Sequence, residues 1–250
     1  MVLNKMKVVN KMVYALVFAG GVGKRMNSKS LPKQFLEVHG KPILISTLEH
    51  FENHPEVNEI CLVCAPEWKE YTQRILKRYY ITKVKSLVTG GATALESQYN
   101  GLREIERHNA GQDDVVLIHD GVRPLIDEKT ISDCIRMVHE KGSAITVVPA
   151  TETIIQTESN GSVKGTFPRE ECRLARAPQC FYLRDILSAH EKARLEHKTF
   201  VDSCSLMLYY GHKLYTVSGP SENIKVTTPA DFYIYRALLD ARENSQIFGL

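Results

Sequence analysis

The chain lacks most of the features that would send it to a membrane, a nucleic acid or an oxidising compartment. No apolar run approaches the roughly 20 residues a membrane-spanning helix requires. The first dozen residues, Met1 to Met12, have no continuous apolar core of the kind a secretory signal carries. They read as a short flexible extension over residues 1–12, with Met12 an alternative start, and cytoplasm is the expected compartment. A formal charge of +3 over 250 residues is too small to argue for a nucleic-acid-binding surface, and basic residues are spread rather than blocked apart from the Lys-rich start. Neither nucleic acid nor membrane is therefore an expected partner. Repeats, low-complexity tracts and disordered linkers are also missing. What remains, 43% hydrophobic and 24% charged residues, is ordinary for a globular protein with room for a substantial core.

Cysteine is present at positions 61, 64, 134, 172, 180 and 204, but not in a metal-binding arrangement. Cys61 and Cys64 form a Cys-x-x-Cys inside Ile60-Cys-Leu-Val-Cys-Ala65, a stretch that reads as a buried strand. Side chains three apart on a strand point to opposite faces. No second such pair or His-rich partner follows, so reduced, buried thiols are expected.

Strand-like and helix-like segments alternate, the pattern of an α/β fold with a mostly parallel, Rossmann-like sheet and helices on both faces. Strands are expected at Val13–Phe18, Glu59–Cys64, Lys85–Val88, Asp114–His119, Ala144–Pro149 and Leu214–Ser218. Helices are expected at Ile43–Asn53, Glu67–Tyr79, Ser97–His108, Glu128–Lys141, Ile186–Glu196 and Pro229–Asn244. The alternation breaks between Thr151 and Ala175, where two short strands flank Asn160-Gly161, a hairpin turn signal. An inserted hairpin must hide its edges, and pairing with another chain is one way to do so; an ordinary surface hairpin is the other reading. Residues 13–250 are thus expected to form one domain, with an arm at about 151–175.

The most informative stretch begins at the end of the first strand. Ala19, Gly20, Gly21, Val22 and Gly23 form a loop of small residues, with Lys24, Arg25 and Lys33 beside it and Pro32-Lys33-Gln34 following. A backbone free of bulky side chains can approach a polyphosphate and offer N–H donors, and clustered cations can neutralise charge developing during phosphoryl chemistry. The spacing fits neither the dinucleotide fingerprint nor the P-loop, which ends in Gly-Lys-Ser/Thr, so a dehydrogenase is excluded. Loops leaving the strands at Gly23, Cys64-Ala-Pro66, Gly90-Gly91 and His119-Asp120 would converge at the carboxyl edge of the sheet, where open α/β folds bind ligands. Asp120 directly follows Val115-Val-Leu-Ile118 and is placed either to hold Mg²⁺ against a triphosphate or to cap a turn. His119 is a candidate base on paper and reads as structural. Thr228-Pro-Ala-Asp231 matches a capping box, which makes Asp231 a helix-start residue.

Together with Gly90-Gly91, Ser97 and Asn100-Gly-Leu102, His119-Asp-Gly-Val-Arg-Pro124, Ala177-Pro-Gln179 and Asn223-Ile-Lys-Val-Thr227, these motifs resemble the cytidylyltransferases that make CDP-linked polyols. The likeness runs from about Val13 to the helix after Asp231. It implies transfer of CMP from CTP to a polyol phosphate, either ribitol 5-phosphate or, for isoprenoid synthesis, methylerythritol phosphate, with Mg²⁺ as cofactor. In such an enzyme Arg25, Lys33 and Lys225 would stabilise the transition state. Ala19, Gly20, Gly21, Gly23, Gly90, Gly91, Ser97 and Asp120 would bind the nucleotide, Asp120 also facing the metal. Ser97 is equally suited to an N-cap. Arg123, Thr153, Arg169 and Lys225 would bind the acceptor, and Ile224 and Val226 would flank Lys225 as in a strand. The relatives clasp a second subunit with the arm, which implies a homodimer.

Three positions depart from that pattern. Ala94 stands where the family carries arginine, and Ala177 and Val201 stand where it carries threonine. Arg173 and Arg176 add charge nearby, and Ser28 to Leu36 leans toward the ribitol-phosphate branch. A non-catalytic nucleotide-binding domain that had lost its acceptor contacts is the rival from another class, opposed by retention of Arg25, Lys33, Asp120 and Lys225.

Overall fold

The computed structural model describes residues 11–20, 31–108 and 110–248, with side chains to Asn244. Its central strand, β1 (Val13–Ala19), shows how the sheet is built. Val13, Ala15 and Val17 enter one hydrophobic cluster while Tyr14 and Leu16 enter another, so both faces of the strand are covered. The first cluster gathers apolar residues of α1 (Ile43–Glu52), α2 (Lys69–Arg78) and α4 (Glu128–Lys141). The second gathers those of α3 (Ala94–Arg107), α5 (Leu183–Leu195) and α6 (Ser203–Tyr209). Two layers of helix therefore sandwich one sheet.

Strand β4 (Glu59–Cys64) and β6 (Val115–Asp120) flank β1 in parallel register, and β5 (Val84–Thr89) extends the sheet beyond β4. On the other side of β6 lie β10 (Arg173–Tyr182), β7 (Ser143–Pro149) and β11 (Thr216–Ser218), completing seven strands in the order β11-β7-β10-β6-β1-β4-β5. Strand β10 runs antiparallel to both neighbours. The parallel strands thus send their carboxyl ends to one edge, as the alternation predicts. Gly101 brings α3 close to that sheet: a Cβ there would lie 2.3 Å from Leu16 Cδ1. The Cys61 side chain packs with the α3 face, its thiol 3.7 Å from the Gly101 carbonyl, while the Cys64 side chain faces Thr72 and Lys69 of α2, so the pair does straddle the sheet. All six cysteines are free. Burial, with a smaller push from Glu104, raises the Cys61 pKa to about 12, leaving an inert thiol.

Several elements differ from expectation. Strand β10 and helix α6 were not foreseen, nor was the small antiparallel pair β2 (Glu37–Val38) and β3 (Lys41–Pro42). A 3-10 turn at Pro66–Trp68 precedes α2. The expected hairpin is present as β8 (Ile155–Thr157) and β9 (Val163–Thr166), paired antiparallel and separate from the main sheet. Every residue of both strands is exposed. The closing helix α7 (Pro229–Phe248) packs Tyr235 with Val38, Ile43, Val122, Leu125 and Val226 in a third cluster. Most of the expected N-terminal extension lies outside the described residues; Met12 is tied in by its N–H, which donates to Asp114 Oδ1 at 2.9 Å.

Candidate functional site

A cleft of about 200 Å³ opens at the carboxyl ends of β1 and β6. Phe18, Asp120, Arg123, Arg176, Asp202 and Lys225 are among its walls. A larger hollow of about 390 Å³ lies against the outer sides of α3 and α5. Convergence of the strand ends, rather than size, singles out the smaller one.

Asp120 is the electrostatic centre. Its side chain is nearly buried, with Lys225 Nζ 2.6 Å from Oδ1 and Arg123 Nε 2.8 Å from Oδ2. Burial alone would raise the carboxyl pKa, but Lys225 and Arg123 outweigh it and hold the group below its usual range. Arg123 is committed inward: Nη1 donates to the Asn223 carbonyl at 3.0 Å, and Asn223 Nδ2 donates to the Ala177 carbonyl at 2.8 Å. Two of the three guanidinium nitrogens of Arg123 thus bond within the chain. Lys225 reaches the cleft from a loop rather than from a strand, anchored by the Val226 N–H donating to the Val122 carbonyl at 2.9 Å. Asp231 accepts from the Thr227 and Thr228 amides, the helix-start role expected of it.

His119 is fully buried, and burial lowers its pKa to about 4, against a smaller raising effect from its contact with the Arg123 carbonyl. Its Nε2 lies 3.1 Å from that carbonyl oxygen and so carries the proton there. The neutral ring props up the turn that follows Asp120.

Ala19 and Gln34 link the glycine loop to the Pro32-Lys33-Gln34 element: Gln34 Nε2 donates to the Ala19 carbonyl at 2.7 Å, and both residues are buried. Lys33 lies in the adjoining 3-10 turn, Lys33–Phe35. Gly20 comes near the second glycine motif, since a Cβ there would lie 3.8 Å from Ser97 Oγ. Gly21, Gly23 and Arg25 lie outside the described residues.

Ser97 is not the N-cap of α3. Thr93 is, its hydroxyl accepting from the Glu96 amide, and Ser97 sits one turn further in. There Ser97 Oγ donates to the Thr93 carbonyl at 2.9 Å and accepts from the Gly91 amide at 3.0 Å. It fixes the Gly90-Gly91 loop, and that loop tolerates no side chain at Gly91, where a Cβ would fall 2.3 Å from Glu96 Cγ.

The structure brings Asp120, Arg123 and Lys225 together but leaves Thr153 and Arg169 outside the cleft walls, both exposed on the inserted segment. Arg169 Nη1 donates to the Thr151 carbonyl at 3.3 Å. The three departures Ala94, Ala177 and Val201 all line the cleft. Gln179, from the Ala177-Pro-Gln179 motif, completes its far side with Asp202, Ser203 and Gln98. Gln179 donates to Asp202 at 2.9 Å and accepts from the Cys204 amide at 2.8 Å, while Asp202 caps α6 through the Ser205 amide. Ser203 Oγ donates to Gln98 Oε1 at 3.1 Å. Polar residues embedded in apolar strand and helix starts were the available signal.

As a metal ligand Asp120 supplies one ionised carboxylate, a hard donor of the type Mg²⁺ takes alongside phosphate oxygens. Among the described residues no group of three His, Cys, Asp or Glu side chains could cage a metal, so the remaining ligands would come from bound phosphate and water. The donor set fits Mg²⁺ on those terms.

A family model described as "IspD: 2-C-methyl-D-erythritol 4-phosphate cytidylyltransferase" matches residues 13–241. A ribitol-5-phosphate cytidylyltransferase of Vibrio parahaemolyticus serotype O3:K6 is 49% identical over 94% of this chain and 99% of its own. A 2-C-methyl-D-erythritol 4-phosphate cytidylyltransferase of Syntrophus aciditrophicus is 37% identical over 92% of this chain and 97% of its own. The crystal structure of 4-diphosphocytidyl-2C-methyl-D-erythritol synthase from Anaerococcus prevotii superposes with a TM-score of 0.81 at 27% identity, covering 92% of this chain and 96% of that one.

Proposed function

The chain belongs to the IspD cytidylyltransferase family, and from that premise we propose that it transfers CMP from CTP to D-ribitol 5-phosphate, releasing pyrophosphate. The observation that carries the reading is the Lys225–Asp120–Arg123 cluster at the carboxyl edge of the sheet, at the end of the strand next to β1, whose sequence continues into the glycine loop. An oxygen of the acceptor phosphate attacks the α-phosphorus of CTP, and the bond from that phosphorus to the bridging oxygen of the β-phosphate breaks. Pyrophosphate carries the leaving electron pair. The nucleophile is already ionised at neutral pH, so no base is required, and the chain contributes position and charge. Lys225 and Lys33, with Arg25, offset the negative charge that accumulates as the two phosphates meet. The backbone at Ala19, Gly20, Gly90 and Gly91, held by Gln34 and Ser97, lies against the cytidine and its phosphates. Mg²⁺, when bound, neutralises and orients the triphosphate; Asp120 is the carboxylate that would hold it.

The acceptor assignment draws on the 49% identity to the ribitol-5-phosphate enzyme against 37% to the methylerythritol-phosphate enzyme. The small side chains of Ala94 and Ala177 in the cleft point the same way. The family model's own description favours 2-C-methyl-D-erythritol 4-phosphate as the second reading. Cytoplasmic placement and a homodimer built through the 151–175 arm belong to the proposal. Among the described residues no helix is long and apolar enough to cross a membrane.

Pyrophosphate release tests the reading, with CTP, UTP, ATP and GTP each offered with Mg²⁺ and either acceptor. CTP with ribitol 5-phosphate is expected to be the best pair. Equal turnover with ATP or GTP would overturn the nucleotide assignment, and a preference for methylerythritol phosphate would overturn the acceptor. The dimer is tested by mixing the Lys33→Ala and Arg169→Ala variants. Shared sites restore part of the activity; sites built within one chain restore none.

A further inference from the structure

Among the described cations lining the cleft, Arg176 is the one for which no hydrogen bond or ion pair within the fold is found. Arg123 spends Nε and Nη1 on Asp120 and Asn223, and Lys225 rests on Asp120. Asp202, the other carboxylate in the wall, is occupied by Gln179 and the start of α6. Arg176 lines the same cavity, and its Nε is buried with no hydrogen-bond partner. A buried donor left unpaired costs free energy, and a desolvated cation beside another cation costs more. Burial first, and the charge of Arg123 second, push the Arg176 pKa down, as expected for a cation with nothing to offset it. An arrangement of this kind is completed by an anion from outside.

Position narrows what that anion is. Arg176 falls at the irregularity in β10, between Ala175, which pairs with β7, and Gln179, which pairs with both β7 and β6. It therefore stands on the β10 side of the cleft, beside Ala177, opposite the β1 edge that leads to the glycine loop. Neither Ala177 nor Val201 offers a hydroxyl there. Thr153 and Arg169, expected to hold the acceptor, do not reach the cavity of their own chain.

We infer that Arg176 binds the phosphate monoester of the acceptor, from the same chain that supplies Asp120 and Lys225. The inference rests on the cytidylyl transfer proposed above and adds a residue that sets acceptor affinity. A planar guanidinium matches phosphate bidentately, so the fork rather than the charge alone is what the site uses.

Steady-state kinetics with CTP and D-ribitol 5-phosphate, calorimetric CTP binding and thermal melts on wild type, Arg176→Gln and Arg176→Lys form the test. The Gln variant is expected to raise the acceptor KM by about 10–100-fold, the loss typical of a charge-assisted hydrogen bond. Its CTP affinity should be unchanged and its melting temperature no lower, because a buried Nε donor that the fold leaves unpaired has been removed. Arg176→Lys should recover part of the affinity, and it carries the test if the Gln variant does not fold. An unchanged acceptor KM in a folded variant overturns the inference while leaving the function intact. An equal loss of CTP affinity overturns it too, by assigning Arg176 to the triphosphate. A wild type inert with this substrate pair would refute the proposed function, and the inference with it, before any variant is compared.

Discussion

Strand β6 and the β8–β9 hairpin are built from similar β-forming residues and meet opposite fates. Every residue of β6 is buried, paired on one side with β1 and on the other with β10. Every residue of β8 and β9 is exposed, and Ile155 and Val163 leave half or more of their surface open. An isolated two-stranded ribbon is at best marginally stable in water, whereas a strand covered on both faces draws on the whole core. The difference separates a region complete within one chain from one whose apolar face and side chains, Thr153 and Arg169 among them, are left uncovered by it.

The largest expected effect would come from acid acting on the core. His119 and His190 are buried, and burial lowers both pKa values from 6.5 to about 4. Their neutral forms are therefore favoured in the folded state. The stability this gives is complete above the unfolded value of 6.5 and is lost as pH falls toward 4. Each imidazole should cost ~2 kcal/mol between about pH 7 and about pH 5, read from urea midpoints. A flat profile over that window would show that the rings are not held neutral.

Next in size is Leu16→Ala, fully buried on β1 against Gly101. A loss of ~2–5 kcal/mol in denaturant unfolding is expected. A loss below that of an exposed substitution would break the contrast between core and arm. Lys225→Ala follows, with turnover falling by about 10²–10³ while calorimetric CTP affinity falls much less. Near-normal turnover in the folded variant would remove Lys225 from the mechanism.

The smallest effect should be that of Val163→Ala on the arm: within about 0.5 kcal/mol on the stability of the separate chain, as for other surface changes. Light scattering should at the same time show a shift toward monomer on dilution. A large loss of single-chain stability would mean that the arm belongs to the core after all, and an unchanged association state would leave it an ordinary surface hairpin.

How far the sequence could be read follows from the same physics. The strands β1, β4 and β6 were legible because buried parallel strands are apolar throughout, and the hairpin because Asn160-Gly161 marks its turn. Asp120 was legible as a carboxylate directly after an apolar run, and Gln34 only as part of the Pro32-Lys33-Gln34 element. Strand β10 was not, because Arg173-Leu-Ala-Arg-Ala-Pro178 shows no steady alternation and carries a proline where the ladder is irregular. The N-cap of α3 was misplaced because Thr93 and Ser97 are both chemically suited, and only the path of the backbone separates them. Arg123 turned inward for a reason no local pattern carries: its acceptor is the Asn223 carbonyl, 100 residues away.

Strand β10 also separates two things that could have been inseparable. Its second half, Gln179–Tyr182, is clamped between β6 and β7, while its first half, Arg173–Ala175, lies exposed along β7 and leads back to the arm. A residue added ahead of Arg173 would lengthen the arm by about 3.3 Å without disturbing the clamped half. The reach of the arm can thus change while the pairing of Gln179–Tyr182 with β6 and β7 is kept. Length can vary on one side of the clamp while the sheet on the other side stays as it is.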